Sequence, residues 1–332
     1  MINFIPIKNF NNETFIKYLN SSISINQMTN YGPNVQLLEK RARDMLKIPE
    51  EFDVIATSNG TTALHTVFWS FERQKMKSLN KAVQNFTFPA SAQGVMSGAT
   101  KIDFDISYNI DLAHSLMQKY SEVICITNLF GHLQNLELIV NRLKAADKIV
   151  IFDNAATPYS FYRGINSCAL ADGSCVSLHH TKPIGFGEGG LAIVRKEVSK
   201  FAREAINFGW VDGAFNERGS NFKMSELSAA GILQYWDSFN IDEMAKIYRE
   251  NYFEMTYKLA AKYGGKSHPN NSDEEGFFPS NLPFIFSEPI LPEQINADVE
   301  IKKYYQPLEN LPVSNDLYSK TLNFPIHERY DI

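Results

Sequence analysis

Ser177-Leu178-His179-His180-Thr181-Lys182-Pro183-Ile184-Gly185-Phe186-Gly187-Glu188-Gly189-Gly190 places one lysine between two short apolar runs, Cys175 to Leu178 and Leu191 to Val194, and fills the turn with glycine. Apolar runs this short, bounded by turn residues, read as strands buried on both faces. Working outward, five more such runs precede them: Asp53 to Thr57, Lys81 to Gln84, Thr100 to Phe104, Val123 to Thr127 and Lys148 to Phe152. Helical spacing lies between and after the strands. Asn34 to Lys47 repeats apolar residues at Val35, Leu37, Leu38, Ala42, Met45 and Leu46, and Lys196 to Phe208, Glu226 to Asp237 and Asp242 to Tyr263 read the same way. The last of these is predicted to stop at Gly264-Gly265. Strands alternating with helices predict an α/β domain with a largely parallel sheet over residues 1–240. After Gly265 the character changes: a polar stretch, Lys266 to Glu275, leads to Phe278-Pro279-Ser280-Asn281-Leu282-Pro283-Phe284-Ile285-Phe286, a strand interrupted by prolines. A smaller α+β domain is therefore expected over residues 241–332.

The chain has 332 residues, 44% of them hydrophobic, enough for a sizeable core. Its net charge of -5 comes from mixed signs without a basic stripe, which argues against a nucleic-acid partner. Met1 to Phe10 alternates apolar and polar residues and carries Lys8, unlike a signal peptide or a membrane span, so a cytoplasmic protein with no membrane partner is expected. Cys125, Cys168 and Cys175 are odd in number, lie in or beside apolar stretches and lack paired metal spacing. They read as buried thiols, with no metal site. No internal repeat or low-complexity tract is present.

Three positions carry candidate chemistry. Lys182 leaves a strand end, where partial burial lowers an amine's pKa and makes imine formation with an aldehyde feasible near neutrality; the bland alternative is a surface lysine in a loop. Asp153 follows the apolar strand Lys148 to Phe152, where a carboxylate can pair with a protonated ring nitrogen or simply cap a helix. Ser58-Asn59-Gly60-Thr61-Thr62-Ala63-Leu64 is a strand-to-helix turn that suits an anion such as a phosphate, or ordinary capping.

The order of further motifs adds to these. Gly32-Pro33-Asn34-Val35 with Leu38-Glu39 comes first, then Ser58 to Leu64, Thr87-Phe88-Pro89-Ala90-Ser91, Gly98-Ala99 with Phe104-Asp105-Ile106, and Asn128-Leu129-Phe130-Gly131-His132. Asp153 to Ala155, the lysine block, Ser220-Asn221-Phe222-Lys223-Met224 with Ala229-Ala230, Lys303-Tyr304-Tyr305-Gln306-Pro307-Leu308 and Phe324-Pro325-Ile326-His327 follow. Over nearly its whole length the chain thereby resembles the DegT/DnrJ/StrS-type sugar aminotransferases, fold type I enzymes dependent on pyridoxal 5'-phosphate (PLP).

The resemblance implies a large PLP-binding domain with a mostly parallel seven-stranded sheet flanked by helices, plus the smaller C-terminal domain. It implies that Lys182 holds PLP as a Schiff base and later shuttles a proton, and that Asp153 holds the ring nitrogen. Phe88 would stack on the ring, where the residues alone favour core packing. Gly60, Thr61 and Thr62, with Ser177, would hold the phosphate, and Asn221 would reach the phosphate of the other subunit in a homodimer with shared active sites. Several positions depart from the family pattern. Ala156 stands where Gln or His is usual beside the ring oxygen, Lys223 stands where Arg is usual, and the chain stops soon after His327, so the small domain is expected to be trimmed. A branch that replaces the lysine by histidine dehydrates its sugar; Lys182 is present, and His179 and His180 do not take its place. The expected activity is transamination from L-glutamate, through pyridoxamine 5'-phosphate, to a keto sugar. The glycine-rich lysine block points to a nucleotide-linked 4-keto-6-deoxy sugar, for surface polysaccharide or glycoconjugate synthesis. Two alternatives stay open: a small phosphorylated ketone as acceptor, and a PLP-binding regulatory protein without turnover.

Overall fold

The computed structural model describes residues 1–105, 111, 120–131, 136–267 and 276–331. Ile106 and His132 of the motifs above, and 268–275 of the polar stretch, lie outside the described residues. In chain order the strands are β1 (Phe52–Thr57), β2 (Lys81–Gln84), β3 (Thr100–Ile102), β4 (Val123–Thr127), β5 (Ile149–Asp153) and β6 (Phe161–Tyr162). They continue with β7 (Ile165–Asn166), β8 (Gly173–Ser177), β9 (Gly190–Arg195), β10 (Lys266–Ser267), β11 (Leu282–Ile285) and β12 (Thr321–Phe324).

The central sheet has seven strands in the order β1-β9-β8-β5-β4-β2-β3. β9 is antiparallel to both β1 and β8, and the remaining pairs are parallel. Side chains alternate across it, as a strand's two-residue period requires. Ile55, Cys125, Ile151 and Cys175 join one apolar cluster with Leu64, Val67 and Phe71 of the helix Gly60–Lys75 and with Val198 and Ala202 of the helix Lys196–Ala205. On the other face, Ile124, Ile126, Val150 and Phe152 pack on Ile139, Val140 and Leu143 of the helix Leu136–Ala145. Val54, Val176 and Ile193 meet the helices Pro33–Leu46 and Glu226–Trp236 there. Coverage on both faces is why these strands read as continuous apolar runs.

Each of the seven expected strands is present; β2 and β4 have the expected bounds and the other five have shifted ends. β3 stops at Ile102 because its partner β2 ends at Gln84, the register mate of Ile102. β8 starts earlier than its apolar run and ends at Ser177, which releases Leu178 into the loop. The proline-interrupted run shrinks to β11, in a three-stranded sheet β10-β11-β12. Pro283 is tolerated inside it. Its register mate Asn323 gives its backbone N–H and C=O to Lys302 instead, and β10 pairs only with Phe284 and Ile285. Phe284, Leu322 and Phe324 of this sheet merge into the same apolar cluster as Val176 and the helix Ile241–Tyr263. The cysteines are free and buried, and burial pushes the Cys168 thiol up to about 12. No helix among the described residues is long and apolar enough to cross a membrane.

Because β1, β2, β4, β5 and β8 run the same way, Thr57, Gln84, Thr127, Asp153 and Ser177 all end at one edge of the sheet. β9 runs back, so its first residue, Gly190, pairs with both Thr57 and Ser177 at that edge. Ligands of open α/β sheets bind outside the carboxyl ends of strands.

Candidate active site

Asp153 is the last residue of β5 and only 4% exposed. A carboxylate buried to that degree needs donors. Ser91 Oγ donates to its Oδ2 (3.0 Å), the Ala155 N–H donates to Oδ1 (3.0 Å), and the Cys175 thiol lies 3.5 Å from Oδ1. Ser91 is presented by the turn Pro89–Ala92, which Phe88 introduces in extended conformation.

Lys182 sits in the loop that returns from β8 to β9. That loop is closed by its own backbone: Leu178 N–H to Gly189 O (2.8 Å), His180 N–H to Gly187 O (2.8 Å), and Gly185 N–H to Lys182 O (3.0 Å). A Cβ on Gly185 would lie 2.1 Å from His179 O, so the turn admits only glycine there. Burial lowers the Lys182 pKa, against the opposing pull of the Asp153 carboxylate. The two groups therefore feel each other's charge, although 29 positions separate them in the chain. No hydrogen bond or ion pair holds the Lys182 amine among the described residues, which leaves it free to react. His179 is turned to Thr181 (2.9 Å) and Glu188 (3.5 Å), and His180 packs edge-on to Phe186.

Gly60 and Thr61 open the helix Gly60–Lys75, where the first N–H groups have no carbonyl in their own helix to reach. Asn59 caps the helix. Thr62 spends its N–H on Asn59 Oδ1 (2.9 Å) and uses its hydroxyl to accept from the Asn59 N–H (3.1 Å), so it braces the turn instead of facing a ligand. Ser177 lies against Gly60: a Cβ there would come 2.7 Å from Ser177 Cβ and 3.0 Å from its Oγ. The Ser177 hydroxyl accepts from the His179 N–H (3.2 Å) and keeps its own proton to donate. Gly60, Thr61 and Ser177 thus converge on one small cradle with a helix N-terminus behind it, fit for a phosphate.

Phe88 is 56% exposed, so core packing, the reading its residue type favours, is overturned. An aromatic face left open beside the β2 end can take a flat ring. Asn221 is exposed, its side chain makes no hydrogen bond among the described residues, and its backbone bridges to Asn207. The same stretch lies on the β1 exit, where the Ser58 N–H donates to Phe222 O (2.8 Å). Lys223 donates to Asn207 Oδ1 (2.7 Å) and lies over the Phe208 ring. It lines a cavity of about 480 Å3 with Tyr31, Arg203 and Met224, which none of the expected site residues lines.

Tyr305, to which the motif reading assigns no role, stacks on Phe130 (5.3 Å) and packs edge-on to Phe86, beside the ends of β4 and β2. Burial and the Asp153 charge both raise its pKa. Ser91 and Cys175, also missed as site residues, hold Asp153 directly. The spacing of Thr87 and Ser91 around Pro89 is the one sequence signal that could have found Ser91, since that proline starts a tight turn.

The family model of the DegT/DnrJ/EryC1/StrS aminotransferases matches residues 9–331. The chain belongs to this family. It is a PLP-dependent transaminase. It is 27% identical over 343 aligned positions to a dTDP-4-amino-4,6-dideoxy-D-glucose transaminase of Shigella dysenteriae, covering 95% of this chain and 91% of that one. With a GDP-perosamine synthase of Escherichia coli O157:H7 it shares 26% identity over 253 positions, 71% of this chain and 67% of the other. Its fold matches that of PseC of Helicobacter pylori, an aminotransferase involved in the biosynthesis of pseudoaminic acid. The TM-score is 0.79 at 17% identity, with 97% of this chain and 92% of the other covered. The residues at the sheet edge fit PLP: a free amine, a buried carboxylate, an open aromatic face and a phosphate-sized cradle lie on one rim.

Proposed function

We propose that this transaminase moves an amino group from L-glutamate to a nucleotide-linked 4-keto-6-deoxy sugar, for surface polysaccharide or glycoconjugate synthesis. The observation that carries the chemistry is the Lys182 amine, free of hydrogen bonds and lowered in pKa, within electrostatic reach of the buried Asp153. Support for the sugar comes from the relatives, whose names are those of transaminases and synthases of amino sugars carried on dTDP or GDP.

In this reading residues 1–240 form the cofactor-binding domain and 241–332 the smaller one. PLP supplies the electron sink for a carbanion. The protein supplies placement. Gly60 and Thr61 N–H groups with the Ser177 hydroxyl would hold the phosphate, and Phe88 would offer its open face to the ring. Asp153, braced by Ser91 and Ala155, would pair with the ring nitrogen and favour its protonated form. Lys182 would hold the cofactor through its amine and, once released, would take up and give back a proton at its Nζ, which requires that it be unprotonated part of the time. Asn221 completes the neighbouring cradle across a homodimer.

The test is the absorbance of the purified holoprotein. Addition of L-glutamate should shift the visible band, and a panel of keto sugar nucleotides should restore it. A band that stays put under glutamate sinks the transamination from that donor, and recovery with a small phosphorylated ketone alone assigns the acceptor to that class.

A further inference from the structure

The Lys182 loop exposes four successive carbonyls, from Lys182 to Gly185, and each meets a side-chain donor from a distant element. Lys8 Nζ donates to Lys182 O (2.5 Å) and to Gly185 O. Tyr235 Oη donates to Pro183 O (2.9 Å) and Trp236 Nε1 to Ile184 O (2.8 Å). Tyr235 and Trp236 end a helix and would be held there by packing alone. Lys8 is different: it comes from an extended N-terminal strap. One end of that strap is tied by Ile2, whose N–H donates to Asp298 O (2.9 Å) and whose carbonyl accepts from the Glu300 N–H (2.8 Å). The other end is tied by the Asn11 N–H, which donates to Gln234 Oε1 (2.9 Å), and by Phe10 stacked on Phe186 of the lysine loop (5.6 Å).

The Lys8 ammonium has no carboxylate partner among the described residues; the two carbonyls and the face of Tyr235, 4.9 Å away, are what it meets. Burial without a counter-ion pulls its pKa down to about 7. An amine kept there at that cost is poorly explained by packing, since an apolar side chain of the same length would fill the space more cheaply.

We propose that Lys8 is a positioning residue of the transaminase, fixing the backbone at residues 182 and 185 so that the Lys182 amine starts from one place in each half-reaction. The inference rests on Lys182 as the reactive amine, which borohydride reduction of the holoprotein and mass mapping of the labelled peptide establish separately. Lys8→Met keeps the length and removes the donors; Lys8→Arg restores them. For Lys8→Met, amide hydrogen exchange across residues 182–186 should quicken, and kcat for the glutamate half-reaction should fall about tenfold with KM within about twofold, as displacement of a reacting group predicts. Lys8→Arg should recover most of kcat. If Lys8→Met does not fold, Lys8→Gln, which keeps one donor for one carbonyl, carries the same comparison. Unchanged exchange and kcat, with Lys182 still labelled, overturn the proposal. An unlabelled Lys182 in the wild type instead removes the reading on which it stands.

Discussion

Gly60→Ala tests the cradle most directly. The new methyl would stand 2.7 Å from Ser177 Cβ, 3.0 Å from its Oγ and 3.2 Å from its Cα. Carbon atoms at rest sit about 3.5–4.0 Å apart, so a shift of roughly 1 Å is required. The obstacle is not a flexible tip. Ser177 ends β8, which is hydrogen-bonded to β9 and β5, so the displacement must be taken by the turn itself. Overpacking of this kind costs about 1–3 kcal/mol, offset by at most about 1 kcal/mol from replacing glycine in a helix. A net loss of about 1–2 kcal/mol corresponds to a melting temperature lower by about 1.5–3 °C for a chain of this size. The larger effect should fall on the cofactor, because the Gly60 and Thr61 N–H groups move as the turn moves. PLP titration of the apoprotein, followed by absorbance, should show affinity reduced about tenfold or more. Wild-type affinity in a variant of normal fold would refute the assignment of this turn as the phosphate site.

Four other outcomes are expected. Asp153→Asn removes a negative charge that favours the protonated amine, so the pH midpoint for acylation of Lys182 in the apoprotein should move lower; a rise would contradict the electrostatics. Phe88→Ala should change unfolding free energy by less than about 0.5 kcal/mol, because the ring is exposed, while weakening PLP about fivefold to tenfold in equilibrium titration. Glu226 is fully buried and accepts from Ser22 Oγ (2.6 Å), Asn34 N–H (2.7 Å) and Val35 N–H (3.2 Å) at the start of the helix Pro33–Leu46; Glu226→Ala should cost about 3 kcal/mol in denaturant unfolding. Lys8 has a lowered folded pKa, so between about 7 and its ordinary value the unfolded chain binds more protons. The stability of wild-type apoprotein relative to Lys8→Met should therefore rise with pH across that window, and a falling difference would refute the burial of this amine.

Much of the scaffold was legible because its strands are covered on both faces. Val150, Ile151 and Phe152 are fully buried, so β5 announces itself as an apolar run and Asp153 stands out as its polar end. The Gly60 turn was legible for a similar reason, as small residues between a strand and a helix. What could not be read was what lies across the chain. Ser91 meets Asp153 over 62 positions and Lys8 meets the Lys182 carbonyl over 174, and no local pattern encodes either contact. Phe88 misled because residue type alone argues for burial, whereas its place just past β2 turns the ring outward. Thr62 fitted the phosphate pattern, yet the same hydroxyl serves the helix cap, and a sequence does not say which use prevails.

The reversal of β9 has a wider consequence. Since Ser177 and Gly190 are paired neighbours, the span between them begins and ends at one spot, and the sheet has already met the entropy of closing it. Such a span is shaped from beneath: Leu178 and Ile184 are fully buried in the core it covers, so the loop takes its form from those layers as well as from its paired ends. New chemistry on this framework would then be written at the exposed positions His180, Thr181, Gly187 and Glu188, while the buried ones keep the loop in place.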